Sequence, residues 1–152
     1  MGIVGDGAGV FNFKRGPMNK PVKKSEHQEQ CALIEWCRLH ENVYPMLKWI
    51  YAVPNGARTS ISVAKRLKAE GLKASVPDIC LPYPRYTTWV NHENAIEKDC
   101  KAHGIYIEMK VKGGSVKKHQ QEWIDYLNTA GYVCKVAWSQ EEAIEIIKEY
   151  LK

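Results

Sequence analysis

No apolar run in this chain exceeds a few residues, far short of the ~20 that a membrane-spanning helix needs. No Lys/Arg-led apolar segment opens it, so no secretory leader is expected. The cysteines include no CxxC pair, His92, His103 and His119 share no ligand spacing, and no internal repeat is visible. These absences argue against a zinc cluster and a histidine-based centre. The five cysteines, Cys31, Cys37, Cys80, Cys100 and Cys134, read instead as reduced core or near-surface thiols, which suits an intracellular, cytoplasmic setting.

What is present suits one folded domain: 152 residues, 45% apolar and 26% charged. A net charge of +5 permits a polyanionic partner without requiring one. Basic residues cluster at Lys14-Arg15, Lys20 to Lys24, Lys65 to Lys73 and Lys110 to Lys118. Residues 1–24, rich in Gly, Pro and Lys, read as an irregular lead-in, and residues 25–152 as the domain. Gly5-Asp6-Gly7-Ala8-Gly9 is a poor phosphate loop, because no strand precedes it.

Ser25 can cap a helix running to about Leu39, with Glu26, Gln30, Leu33 and Cys37 on one face and Ile34 and Trp36 widening it. Trp49 to Val53 reads as a short strand. A helix follows from Ala57 to Glu70, with Ala57, Ile61, Ala64 and Leu67 inward and Gly71 as C-cap. Val76 to Leu81 is extended, and residues 82–103 read as a long irregular connection, a length that often signals binding surface or an oligomer contact. Ile105 to Val111 alternates as a strand. A helix from Lys117 to Asn128 carries Gln120, Trp123, Ile124 and Leu127 on one side. Tyr132 to Trp138 is a strand, and Ser139 with Glu142 forms a capping box for a last helix whose inner side is Ala143, Ile144, Ile147 and Leu151. The order predicts an α/β sandwich with a mixed central sheet flanked by helices.

Three side chains stand out chemically. Glu108 and Lys110 are two residues apart in a strand, so they share a face while Met109 points away. Charges on a sheet face inside Ile105-Tyr106-Ile107 are costly unless paired or used. With Asp78 on a neighbouring strand, two carboxylates would converge on a place for Mg²⁺ or Mn²⁺, and the Met109 carbonyl could add an oxygen. Such an ion activates water and stabilises charge in phosphodiester hydrolysis; Lys110 would orient or deprotonate the water, or bind the phosphate. The competing reading is an ordinary Glu/Lys pair on an edge strand, with Asp78 closing a turn. Glu26 could be a third carboxylate or a helix-dipole partner. Gln120, lying in an apolar stripe, needs a hydrogen-bond partner, either backbone or the attacking water.

Taken in order, Glu26-x-x-x-Gln30, Pro54-Asn55-Gly56, Arg66-Leu67-Lys68-Ala69-Glu70-Gly71, Val76-Pro77-Asp78, Gly104 to Lys110 and Gln120-x-x-Trp123-Ile124 closely resemble the VRR-NUC family of the PD-(D/E)XK nucleases. The resemblance covers about residues 25–151. It implies a restriction-endonuclease-like core, Mg²⁺ or Mn²⁺, Asp78 and Glu108 as metal carboxylates, and Lys110 as the catalytic lysine. It also matches Glu26 to the family's helical glutamate and Gln120 to the glutamine of the following helix. Stand-alone members are typical of phages and bacteria, which implies the cytoplasm of a bacterial or phage-infected cell. Some are similar to Holliday-junction resolvases in being dimers that act on branched DNA. Two positions depart from the family: Ser75, where Gly often precedes V-P-D, and Lys117, where Ser is common.

The expected function is a structure-selective DNA endonuclease acting as a homodimer, with phosphate contacts from Lys65, Arg66, Lys112, Lys117 and Lys118. Nicking or trimming of other DNA or RNA, and a non-catalytic nucleic-acid-binding module, are the alternatives. Tyr83, Tyr86 and Trp89 in the 82–103 connection suit either a dimer interface or packing on the domain's own sheet.

Overall fold

Two central strands buried on both faces, Ile79–Leu81 and Ile105–Met109, organise the chain, and the computed structural model describes residues 24–55 and 60–152. The Gly5–Gly9 segment, Lys14, Arg15, Lys20 and Lys23 of the lead-in, and the expected helix start at Ala57 lie outside the described residues. Helix α1 (Glu26–Leu39) starts at the expected cap: the Ser25 hydroxyl accepts from the Gln28 N–H, and the Gln28 side chain reaches back to the Ser25 N–H. A 3₁₀ turn (Pro45–Trp49) precedes β1, which is only Tyr51–Ala52. The expected strand start at Trp49 is therefore corrected, since Pro45 at the head of that turn favours helical φ there.

Helix α2 (Ile61–Ala69), β2 (Ile79–Leu81), β3 (Arg85–Val90), β4 (Ile96–Ala102), β5 (Ile105–Met109), α3 (Lys118–Thr129), β6 (Val133–Ala137) and α4 (Gln140–Tyr150) follow. The main sheet has the order β1-β2-β5-β6. Pairing is antiparallel from β1 to β5 and parallel between β5 and β6, with α3 as the crossover that a parallel pair requires. This is the expected mixed α/β sheet flanked by helices, consistent with a restriction-endonuclease-like core.

Each face of the sheet has its own core. Ile105, Ile107 and Met109 of β5 pack with Leu33 and Cys37 of α1 and with Ala143, Ile144 and Ile147 of α4. Tyr106 packs on the opposite side with Ile124, Leu127 and Cys134, under α3. The final helix is capped by Ser139 as expected, but the Glu142 carboxylate accepts from the Trp138 N–H rather than closing the box on Ser139. Tyr150 and not Leu151 completes its buried side.

Two further expectations fail. Residues 82–103 are not irregular: β3 and β4 form a separate antiparallel hairpin, with Val90 opposite Ile96 and Asn94 at φ +60° in the turn. In α2 no residue is buried and Ile61 is 78% exposed, so its apolar stripe is not a core stripe. Among the described residues, no helix is long and apolar enough to cross a membrane.

Candidate active site

The register of β2 on β5 brings the two carboxylates together. Ile79 faces Ile107, so Asp78, one residue before the ladder, comes level with Glu108. The Asp78 Oδ2 accepts from the Met109 N–H at 2.9 Å, which fixes its carboxylate beside the residue following Glu108. Its Oδ1 accepts from Asn55 Nδ2, also at 2.9 Å. Asn55 is a residue whose placement sequence reasoning missed: Pro54-Asn55-Gly56 carried a signal, but only the fold shows that its amide orients Asp78.

Glu108 and Lys110 share a face, opposite Met109, and both are buried, at 1% and 5% exposure. The Lys110 ammonium donates to Glu108 Oε1 at 2.7 Å and to the Met109 carbonyl at 3.0 Å, and lies 3.5 Å from Glu26 Oε1. Gln120 Nε2 also donates to Glu108 Oε1. The Gln120 carbonyl accepts from the Lys117 N–H at 3.0 Å, so the backbone at the start of α3 sets the direction of the amide. Lys117 has no acceptor to offer as a helix cap, and Gln120 takes half of that task as well as holding Glu108.

One atom is left over. Glu108 Oε2 is buried and has no hydrogen-bond partner among the described residues. Burial pushes the Glu108 carboxyl above its ordinary range, and the charges of Asp78 and Glu26 add to this, against the lowering effect of Lys110. For Lys110, burial works against the ammonium, but the Glu108 hydrogen bond and the charges of Glu108, Glu26 and Asp78 outweigh it and raise its pKa. The site is thus a negative cluster with one internal cation.

Among the described residues, no three His, Cys, Asp or Glu side chains converge as a ready-made metal cluster. The oxygens on offer are two carboxylates and the Met109 carbonyl, with Glu26 half-exposed at the rim. The unpartnered Glu108 Oε2 fits a hard cation, because a buried carboxylate oxygen without a donor is costly. The Lys110 ammonium already bonds two of the oxygens such a cation would use.

The expected phosphate-binding residues divide into two groups. Lys112, Lys117 and Lys118 are exposed on the loop after β5 and at the start of α3, flanking Lys110 and Gln120 in sequence. In that loop Gly114 lies so close that an added Cβ would sit 3.7 Å from both Glu26 Oε1 and Lys110 Cδ. Lys65 and Arg66 are exposed on α2, where Arg66 lies 3.5 Å from Glu70, and no described contact joins them to the site. Gln30 is half-buried in α1. A different carboxylate of that helix, Glu29, is the buried one: it accepts from the Gln140 N–H at 2.8 Å and so caps α4 from another helix.

A family model described as the VRR-NUC domain matches residues 24–141. Among solved structures, the chain is similar to one titled "VRR_NUC domain protein", with a TM-score of 0.63, 23% sequence identity, and coverage of 84% of this chain and 88% of that one. At that identity the likeness shows a shared fold. No curated protein matches.

Proposed function

This chain belongs to the VRR-NUC domain family, and from that premise we propose that it is a Mg²⁺- or Mn²⁺-dependent endonuclease that hydrolyses DNA phosphodiester bonds, selective for branched DNA such as Holliday junctions. Family membership supports a nuclease function in general. The observation that carries the metal-dependent reading is the buried, unpartnered Glu108 Oε2 beside Asp78.

Asp78, Glu108 and the Met109 carbonyl would hold the ion, with Glu26 adding negative charge at the rim. When bound, the ion would polarise the phosphoryl oxygen and lower the pKa of an attacking water. Asn55 and the Met109 N–H keep Asp78 in place. Gln120 keeps Glu108 from rotating. Lys110 is held as an ammonium, which favours electrostatic binding of the scissile phosphate over proton abstraction. Lys112, Lys117 and Lys118 supply backbone contacts that read shape rather than base sequence. A homodimer would place two such sites on opposite strands of a junction, and the cytoplasm of a bacterial or phage-infected cell is the matching setting.

The test is incubation of the purified chain with labelled four-way junction, flap and linear duplex in Mg²⁺ or Mn²⁺. Paired nicks across the junction, lost by a factor of about a thousand or more in Asp78→Ala, are expected. Cleavage of none of them, or equal cleavage by Asp78→Ala, contradicts the proposal. Cutting confined to duplex ends would replace junction selectivity with trimming.

A further inference from the structure

A cavity of about 580 Å³ lies between α3 and the residues that lead into β2, lined by Ala74, Ser75, His119, Glu122, Trp123 and Tyr126. None of these is a residue of the carboxylate site, yet both walls run into it. Ser75 is three residues before Asp78, and Trp123 is one helical turn after Gln120, roughly 5 Å along the axis. Trp123 is half-buried against the core under α3, which makes it a rigid wall. Tyr126 is 63% exposed, and its ring meets the Trp123 ring edge-on, at 6.2 Å and 82°.

Two rings at a right angle form a corner. A flat heterocycle laid against one ring meets the edge of the other, satisfying the quadrupole of both. The His119–Glu122 pair, 3.1 Å apart, and the Ser75 hydroxyl add donors and acceptors around that corner. Exposed Lys117 and Lys118 stand at the start of the same helix. An aromatic corner with a polar rim suits the base of a nucleotide, which stacks on a ring and bonds its edge to the rim.

We propose that this cavity receives one unpaired nucleobase of the substrate strand, next to the phosphate at the carboxylate site. A base inside an intact duplex has both faces covered by its neighbours, so the pocket selects strands with a base already free or easily freed. The proposal rests on the nuclease reading and deepens it: branched or frayed DNA is recognised by a captured base as well as by backbone shape.

The experiment measures binding without chemistry. A labelled flap DNA, in buffer with a chelator, is titrated with the full chain by fluorescence anisotropy. A single abasic nucleotide is walked through the unpaired arm and the branch point. Tyr126→Ala is expected to weaken binding about 5- to 150-fold, as for the loss of one base–aromatic stack. At one position the abasic substitution should cost the wild type a similar factor and cost Tyr126→Ala nothing more. Trp123→Phe, which keeps the wall, should bind within a few-fold of wild type, while a melting curve confirms that both variants fold.

Unchanged binding by Tyr126→Ala, no DNA binding by the wild type, or abasic and Tyr126 losses that multiply at every position would overturn the proposal. Coupling without cleavage of any DNA in Mg²⁺ or Mn²⁺ would keep the pocket and remove the nuclease reading. Cleavage without coupling would remove the pocket alone.

Discussion

Strand β5 and the residue that follows it bury Glu108 and Lys110 at 1% and 5% exposure, whereas the β3–β4 hairpin leaves Val90 and Ile96 at 63% and 74%. One region hides charge and the other displays apolar surface. The buried pair is tolerable because Glu108 Oε1 receives Lys110 and Gln120, and Lys110 also reaches the Met109 carbonyl. The price is paid inside a sheet that is fixed on both faces by packed helices. The hairpin has no such support. It is tied at its base by the Tyr150 hydroxyl donating to the Tyr83 carbonyl at 2.7 Å and by Arg85 over the Tyr150 ring. Beyond that point a lone two-stranded ribbon has little intrinsic stability. Misplaced charge therefore marks a rigid chemical centre, and misplaced apolar surface marks a projecting element suited to a partner.

This contrast gives its own tests. Leu33 is fully buried, so Leu33→Ala should lose about 2–5 kcal/mol of stability in denaturant unfolding. Ile96→Thr, on the hairpin, should change the stability of the monomer by no more than about 0.5 kcal/mol. If the hairpin is the homodimer contact, Ile96→Thr should instead lower the particle mass seen by light scattering. An Ile96→Thr loss as large as that of Leu33→Ala in a monomeric particle would mean that the hairpin is part of the core.

The support given to Glu108 can be measured separately. Gln120→Ala removes one of its donors and frees the Lys117 N–H, and should cost about 10- to 100-fold in cleavage rate or metal affinity. An unchanged rate would reduce Gln120 to a helix cap. The smallest effect is expected at the approach to Asp78. Ser75 sits at φ +67°, a conformation that glycine adopts freely, and a non-glycine residue there stores roughly 1 kcal/mol or more. Ser75→Gly should raise the unfolding free energy by a few tenths to about 1 kcal/mol, reduced by the greater freedom of Gly in the unfolded chain. A loss of stability would show that the Ser75 side chain outweighs its backbone.

The sheet and its central charges were legible because residues 105–109 alternate in sequence and because Ser25 and Ser139 mark the starts of the two helices on one face. The period of two puts Glu108 and Lys110 on one face, and the position of Gln120 in an apolar stripe demanded a partner: the backbone N–H of Lys117 is the expected kind, and Glu108 is a second that the sequence did not indicate. The hairpin was not legible: with both faces exposed, nothing forces alternation, and the polar run Glu97-Lys98-Asp99 hides the strand. The apolar spacing of α2 misled for the complementary reason, since Ile61 recurs at helical period yet is 78% exposed among the described residues. Asn55 and Glu29 act across 23 and 111 residues of sequence, on Asp78 and Gln140. No local pattern encodes such pairings; only the folded register does. Ser75 was visible as a departure from the family pattern, but its left-handed backbone was not.

Most direct is anomalous diffraction from a crystal of this chain soaked in Mn²⁺. One strong peak bonded to both Asp78 and Glu108 is expected, with Oε2 among its ligands and Lys110 displaced or turned toward the phosphate side. A crystal saturated with Mn²⁺ that shows no peak between these two carboxylates, while the protein still cuts DNA, would contradict it.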